Sequence, residues 1–229
     1  QYTWASMSQS DSRIVQNSFE LFANKYGIQR STTNLLIDGG NIVDNYAGNV
    51  STTTRFLTDN NLTMAQGKEQ LRTLLGATNV AILEPDDEVL AHADGMVSWV
   101  DANTLLVNDY SDDAALRTSV MNELQAAFPG VTIVEVPVGY ADNGGQWSGI
   151  ESACGINLNA TVTLNNVYVP VFDMAHNQAA LAVIEASTTK NVIAVDAEGV
   201  CAMGGSVRCL TWQLTGSNAD LLMEAARKD

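Results

Sequence analysis

Basic residues are scarce in this chain of 229 residues: 11 Lys and Arg stand against 26 Asp and Glu, which gives a net charge of −15. Nucleic-acid affinity comes mainly from Lys and Arg that neutralise phosphates, so this balance argues against a nucleic-acid partner. The chain also lacks any apolar run of the roughly 20 residues that cross a bilayer, and we therefore expect no membrane partner. An acidic surface is instead compatible with a cationic substrate, because it attracts one electrostatically.

Cysteine and histidine are rare as well, with three and two residues. Their spacing matches no zinc motif, and the chain contains neither a Gly-rich phosphate loop nor a Ser-His-Asp signature. The sequence therefore predicts no metal site. The acidic runs at 84–88 and 109–113 are interpreted as solvated loops, with calcium binding as the alternative.

Apolar residues are plentiful, at 46% of the chain, which is typical of a globular protein. Their periodicity predicts three ββαβ units, at about 35–84, 96–136 and 157–196. A helix at about 12–26 precedes them, and a ββα-like piece that ends in a helix at 218–227 follows. Repetition of one supersecondary unit indicates modules arranged radially around a centre, within a single domain that covers 1–229.

Local signals also predict where single elements begin and end. Thr63 and Gln66 have capping-box spacing, so a helix should begin there and end before Gly76. Further helices are predicted at 113–128 and 177–186, and strands at 34–37, 51–57, 80–83, 96–100, 104–107, 131–136, 160–164, 167–172 and 192–195.

A single cysteine stands out in the stretch from Ala202 to Thr211. The pair Gly204-Gly205 lets the backbone turn tightly, and Cys209 follows at the head of an apolar, β-prone run. This arrangement is typical of a thiol nucleophile held at the mouth of a strand. The alternative is an inert, reduced thiol that serves only packing.

A histidine and an aspartate, His92 and Asp94, introduce the second unit. If this segment is extended, residues two apart project to the same face, so both side chains would share one pocket. The imidazole would transfer protons and the carboxylate would bind a cationic group. The alternative is a structural loop histidine beside an Asp-Gly turn. Because this pair, Asp38-Gly39-Gly40 and Cys209 stand at equivalent edges of successive units, the pattern favours a shared site.

Asn159 occupies the equivalent position in the third unit, where its alternative roles are strand initiation and glycosylation in the sequon Asn159-Ala160-Thr161. Asn49 and Asn61 also begin sequons. On these weak signals we expect a secreted or extracellular protein, with a cytoplasmic one as the alternative.

Three cysteines in a secreted protein indicate one disulfide and one free thiol. Cys154 and Cys201 are the expected pair, because both precede candidate site stretches at neighbouring unit edges. Cys209 is then the free thiol. In a cytoplasmic protein all three would instead be reduced.

Four stretches together resemble one family. The stretches are Asp38-Gly39-Gly40-Asn41, His92-Ala93-Asp94-Gly95, Asn159 eight residues before the run 167–172, and Gly204 to Thr211. They occur in this order in the bacterial-type peptidylarginine deiminases and the related agmatine deiminases. Both belong to the guanidino-group-modifying superfamily, and the resemblance covers about 27–213. It implies a pseudo-symmetric five-bladed α/β propeller with the active site at its centre. This chain would supply most but not all of the blades.

The resemblance also implies a role for each site residue. Cys209 would attack the guanidinium carbon of an arginine-like substrate, while His92 would protonate the departing ammonia and then activate water. Asp94 would bind two guanidinium nitrogens, since a carboxylate matches that planar fork of donors. Asp38 would help to hold His92, and no metal or organic cofactor is needed. The substrate pocket would be lined by Asn159, Gly39, Gly40 and Arg208.

The chain departs from the family pattern in three places. The family has Glu where this chain has Asp38, which is shorter by one methylene. It has His before the nucleophile, where this chain has Arg208, a cation that would lower the pKa of Cys209 or repel a cationic substrate. It also carries an Arg-Asp motif that supplies a second guanidinium-binding carboxylate, and no such motif precedes Asp38. We therefore expect an N-terminal fragment of the same precursor to act as a second chain.

Taken with the resemblance, the sequence predicts hydrolytic deimination of a guanidino group. Peptidyl-arginine would be converted to peptidyl-citrulline and ammonia through a covalent thiouronium intermediate on Cys209. One alternative is an agmatine deiminase. Another, from a different functional class, is a non-catalytic binding protein on the deiminase scaffold.

Overall fold

The computed structural model describes residues 1–3, 8–87, 90–140 and 151–227. It has a mixed α/β fold, as predicted, and divides into two compact units. One unit consists of Gln1–Gly39 and Thr211–Asp229, and the other of Gly40–Leu210. The single domain over 1–229 stays a prediction.

The helices are α1 (Gln9–Tyr26), α2 (Thr54–Asn60), α3 (Met64–Leu75), α4 (Ala93–Met96), α5 (Ala114–Ala127), α6 (Asn177–Ala186), α7 (Glu198–Cys201) and α8 (Gly216–Ala226), with short 3-10 helices at Gly39–Asn41 and Arg208–Leu210. The strands are β1 (Val43–Asp44), β2 (Asn49–Thr53), β3 (Asn79–Leu83), β4 (Val97–Trp99), β5 (Thr104–Asn108), β6 (Thr132–Val136), β7 (Thr161–Val162), β8 (Asn166–Val171) and β9 (Asn191–Asp196). None of the helices in the described ranges is long and apolar enough to cross a bilayer.

Three ββαβ modules make up the unit Gly40–Leu210. In each module two strands pair antiparallel, and the third strand, which follows one or two helices, pairs parallel with the second. Such a parallel return requires a crossover connection, which the helices supply. The result is three separate three-stranded sheets, in the orders β1-β2-β3, β4-β5-β6 and β7-β8-β9. These sheets match the repeats predicted from the sequence, and no closed sheet joins them within the described residues.

The helix of each later module packs against the sheet of the module before it. Leu124 of α5 shares a buried cluster with Leu83 of β3, and Ile184 of α6 shares another with Val136 of β6. Full burial of one such side chain contributes about 1.5–3 kcal/mol. Neighbouring modules therefore hold each other in place, and with them the loops that line the cavity described below.

The unit formed by Gln1–Gly39 and Thr211–Asp229 pairs α1 with α8. Phe19 and Phe22 lie edge-on to Trp212, with ring centroids 5.4 and 6.2 Å away. The Asn218 side chain accepts from the Gln29 backbone N–H at 2.8 Å and donates to the Gln29 carbonyl at 2.9 Å. These contacts fasten the C-terminal helix to the end of α1. The helix was predicted, whereas the strands of the predicted ββα-like piece are absent from the described residues 197–215.

Three predicted strands are wrong in their extent, and the one predicted at 160–164 shortens to β7. β2 ends at Thr53, whose hydroxyl accepts from the Arg55 backbone N–H at 3.3 Å and caps α2, so 54–57 is helical and not extended. The threonines that favour a strand here also cap a helix well. The predicted strand 34–37 does not form a regular strand in the described chain; Ile37 forms an isolated parallel bridge with Tyr2.

Candidate active site

A cavity of about 350 Å³ lies in the unit Gly40–Leu210, and all three modules contribute to its wall. The contributions come from the loops after β3 and β6, from α4, from the segment before β7, and from the residues after α7. Of the predicted site residues, the cavity is lined by His92, Asp94, Asn159 and Cys209. Four of the side chains that the sequence motifs singled out thus line one space, whereas Asp38 and Arg208 are not among the described residues that line it.

His92 and Asp94 reach the cavity from a helical turn. The segment is not extended, which was the condition for the two side chains to share a face in the sequence argument, because His92 is the N-cap residue of α4 and Asp94 lies in the first turn. A helix of four residues still turns both side chains toward the cavity. Asp94 is only 2% exposed, whereas His92 is half-buried.

Gly40 lies directly against this pair. A Cβ atom at Gly40 would lie 2.5 Å from His92 Nδ1 and 3.3 Å from Asp94 Oδ2, so only glycine lets the backbone approach the imidazole this closely. Asp38 and Gly39 belong to the other compact unit, and their predicted roles stay predictions.

Asn41 positions the His92 segment, and sequence reasoning missed this role. Its buried Oδ1 accepts from the backbone N–H groups of Ala93 and Thr53 at 3.1 and 3.0 Å, and it lies 3.0 Å from the Thr53 hydroxyl oxygen. The Thr53 hydroxyl in turn contacts the Ala91 carbonyl at 2.5 Å. One amide oxygen therefore joins the end of β2 to the start of α4. Its only signal in the sequence is its place directly after Gly40.

Cys209 lies in the 3-10 helix Arg208–Leu210 and not at the head of a strand, so the predicted β-run after it is wrong. Asn159 explains the turn, because its Oδ1 accepts from the backbone N–H groups of Arg208 and Cys209 at 3.2 and 3.4 Å. Asn159 Nδ2 also donates to the Asp94 carbonyl at 3.4 Å. A single side chain thereby ties the cysteine turn to the turn that carries Asp94.

The Cys209 thiol donates toward Asp94 Oδ2 across 3.8 Å. The residue as a whole is exposed, but its sulfur faces the cavity. There, limited hydration of a thiolate and, secondarily, the negative charge of Asp94 raise the pKa of Cys209 to about 12. The free thiol is therefore protonated near neutral pH, and a cation brought beside it would favour the thiolate.

Arg208 pairs with the same carboxylate. Its Nη1 donates to Asp94 Oδ2 at 2.9 Å, and its Nη2 donates to the Ile42 carbonyl at 2.8 Å. The sequence left two effects open for Arg208: it would lower the pKa of Cys209 or repel a cationic substrate. Arg208 does lower the pKa of Cys209, but limited hydration of the thiolate and the Asp94 charge raise that pKa by more.

Asp86 is an exception to the interpretation of 84–88 as a solvated loop, a run whose last residue, Glu88, lies outside the described residues. It lines the cavity wall, and its Oδ2 accepts from the Tyr110 and Tyr140 hydroxyls at 2.7 and 2.8 Å. Burial raises the pKa of Asp86 in spite of these two donors. In the part of the chain that is described, no group of three or more His, Cys, Asp or Glu side chains is arranged to hold a metal ion.

Cys154 and Cys201 form a disulfide, which is the pair expected from the sequence. The adjacent Ala153 backbone N–H donates to the Cys201 carbonyl at 2.9 Å. Ser152, Ala153 and Ile156 line the cavity, so this bridge fastens one of its walls to α7.

Comparison with known proteins gives one family and one fold. A family model described as Porphyromonas-type peptidyl-arginine deiminase matches residues 2–214. An agmatine deiminase from C. jejuni is similar in structure, with a TM-score of 0.69 and 21% identity, over 91% of this chain and 63% of that one. An agmatine deiminase of Enterococcus faecalis has a TM-score of 0.72 and 16% identity, over 85% of this chain and 61% of that one. The chain therefore spans less than two-thirds of the length of these relatives. No match was found among curated proteins.

Proposed function

Because the chain belongs to the Porphyromonas-type peptidyl-arginine deiminase family, we propose that it hydrolyses the guanidino group of an arginine residue in a peptide. The products are peptidyl-citrulline and ammonia. The observation that carries this proposal is the grouping of Cys209, His92, Asp94 and Asn159 around one cavity, with the Cys209 sulfur 3.8 Å from Asp94 Oδ2.

The chemistry begins with the charge of the substrate. Asp94 binds the substrate guanidinium, whose positive charge offsets the two effects that keep the Cys209 thiol protonated. His92 accepts the thiol proton, and the sulfur bonds to the guanidinium carbon. Binding and activation of the nucleophile are thus one event, so the thiol reacts chiefly when substrate is present.

The remaining steps use the same groups, with His92 acting first as an acid and then as a base. His92 passes its proton to one amino nitrogen, the C–N bond breaks, and ammonia leaves a thiouronium on Cys209. His92 then takes a proton from water, the water oxygen bonds to the carbon, and the C–S bond breaks. His92 returns its proton to the sulfur, and the remaining proton of the former water passes to ammonia. The ureido product departs and the thiol is restored.

A second candidate substrate is agmatine, which carries an ammonium group as well as a guanidinium. It is favoured by the acidic lining of the cavity, where Asp86, Asp87 and Glu151 accompany Asp94. Such a wall attracts a dication more strongly than a monocation. The two candidates differ only in what the outer part of the cavity binds.

Colorimetric detection of ureido products tests these proposals with a peptidyl-arginine substrate, free arginine and agmatine. Turnover of the peptide alone supports the first candidate, and turnover of agmatine alone supports the second. If none of the three is converted in the presence of the second chain proposed below, the chain is better described as a binding protein on the deiminase scaffold.

Cys209→Ala is the matching loss-of-function variant. We expect its turnover to fall by more than about a thousandfold, because the covalent route is removed. The thermal midpoint should change little, since Cys209 is exposed. Activity within tenfold of the parent protein would refute the nucleophile assignment.

The architecture and partners that the family implies complete the proposal. The three modules are three blades of a five-bladed propeller, and a second chain from the same secreted precursor supplies the further carboxylate for the guanidinium. Intact mass and denaturing gels of the native, active protein test this point. Full activity from a lone chain of 24.5 kDa would contradict it.

A further inference from the structure

Arg208 already presents a guanidinium to the carboxylate that is proposed to bind the guanidinium of the substrate. Its Nη1 lies 2.9 Å from Asp94 Oδ2, and its Nη2 lies 2.8 Å from the Ile42 carbonyl. Its backbone N–H donates to the carbonyl of Asn159 at 3.1 Å. The arginine next to the candidate nucleophile is therefore held at both its backbone and its side chain.

The burial of Asp94 makes the contact with Arg208 important for the stability of the charged carboxylate. The Asp94 side chain is 3% exposed and that of Arg208 is 26% exposed. A buried carboxylate that loses its cation is strongly destabilised, so Asp94 needs a partner in every state of the site. A substrate guanidinium has the same planar fork of donors as Arg208 and meets the same need.

We propose that Arg208 is an intramolecular competitor of the substrate, which occupies Asp94 Oδ2 until a guanidino ligand displaces it. This inference rests on the proposed function for the kind of ligand. Asp94 belongs to the cavity wall, whereas Arg208 is not among the residues that line the cavity in the described part of the chain. Arg208 thus approaches the carboxylate from outside the cavity, and its partly exposed side chain can withdraw into solvent.

Competition of this kind sets a threshold for binding. A ligand that offers a guanidinium alone only replaces one Asp94 partner by an equivalent one. A ligand that also contacts the outer cavity gains the additional energy that displaces Arg208. Arg208 therefore acts as a specificity-determining residue, which disfavours small guanidines against extended substrates.

Arg208→Gln tests this proposal through a split between KM and kcat. If Arg208 occupies Asp94 for about nine-tenths of the time, apparent affinity is reduced by that fraction, so the variant should lower KM about tenfold. kcat should not rise, because the Arg208 charge favours the Cys209 thiolate. Arg55→Gln is the matched control: Arg55 also pairs with a carboxylate at 2.9 Å, but its partner Asp59 is 21% exposed.

Thermal unfolding supplies a readout that needs no turnover. Low millimolar guanidinium chloride should raise the melting temperature of Arg208→Gln, because the ion replaces the missing partner of Asp94. The parent protein and Arg55→Gln should respond no more to guanidinium than to sodium chloride. If Arg208→Gln does not fold, Arg208→Lys takes its place, since an ammonium cannot reproduce the planar fork that contacts Asp94 and Ile42 together.

An unchanged or higher KM together with no selective stabilisation by guanidinium would overturn the proposal. Selective stabilisation in a protein that converts no substrate even with the proposed second chain present would leave the competition intact and refute the proposed function. If substrate is converted but Arg208→Gln changes neither KM nor the stabilisation by guanidinium, the proposed function would stand and the competition would be refuted.

Discussion

Charge around one sulfur atom governs the chemistry at the residue scale. Since limited hydration and the Asp94 carboxylate raise the pKa of Cys209 to about 12, the free protein should react slowly with iodoacetamide at pH 8. The rate should rise by about tenfold for each pH unit until the pH approaches that pKa.

Asp94→Asn tests whether the Asp94 charge raises the pKa of Cys209. Loss of the carboxylate charge removes a cause of the raised pKa, so alkylation at pH 8 should accelerate. Mass spectrometry of the modified Cys209 peptide follows the rate in both proteins. Equal rates, or a slower rate in the variant, would show that Asp94 does not act on the thiol.

The sequence predicts side chains whose motifs are local and misses those whose partners are distant. His92, Asp94, Asn159 and Cys209 come from short motifs and line one cavity, although their chemical roles stay predictions. Asp86 could not be predicted, because Tyr110 and Tyr140, which donate to it, are 24 and 54 residues away along the chain. A charged run in a sequence does not show which of its members is buried.

At the scale of the elements, the 3-10 turn that contains Gly40 packs closely against the turn that carries His92. A Cβ at Gly40 would lie 2.5 Å from His92 Nδ1, so Gly40→Ala should displace the imidazole and lower kcat at least tenfold, as small misplacements of catalytic groups do. The unfolding midpoint should fall only slightly, because the His92 side chain can turn away.

Gly199→Ala is the control for that experiment. Gly199 lies in α7, and nothing in the described chain stands within 4 Å of a Cβ placed there. Its kcat should match that of the parent protein. Equal kcat values for the two glycine variants would show that the position of His92 does not depend on Gly40.

Elements with strong local signals were predicted well. The capping box of Thr63 and Gln66 is present, and α6 covers the predicted residues. The 3-10 turn at Cys209 was missed because Asn159, 50 residues away, fixes it by accepting from the Cys209 backbone N–H. A tertiary hydrogen bond overrides the strand preference of the residues that follow.

The disulfide belongs to the scale of the whole molecule, because it joins residues separated by 47 positions. Its reduction should lower the free energy of unfolding by about 2–4 kcal/mol, which urea titrations with and without reductant would measure. Thiol titration of the denatured protein should find one free thiol before reduction and three after it. Three free thiols in the unreduced protein would exclude the bridge. Cys209→Ser prevents thiol exchange during the urea titrations, and it should show no free thiol before reduction and two after it.

The shared wall of the cavity ties ligand binding to cooperativity of unfolding. Loops from all three modules line the same cavity, so a ligand bound there would contact all three modules. Local unfolding of any one module would then break contacts with the ligand and become less favourable. At a concentration of 100 times Kd it adds about 2.7 kcal/mol to the unfolding free energy. Amide hydrogen exchange would then slow across the sheets of every module, far beyond the few residues that touch the ligand.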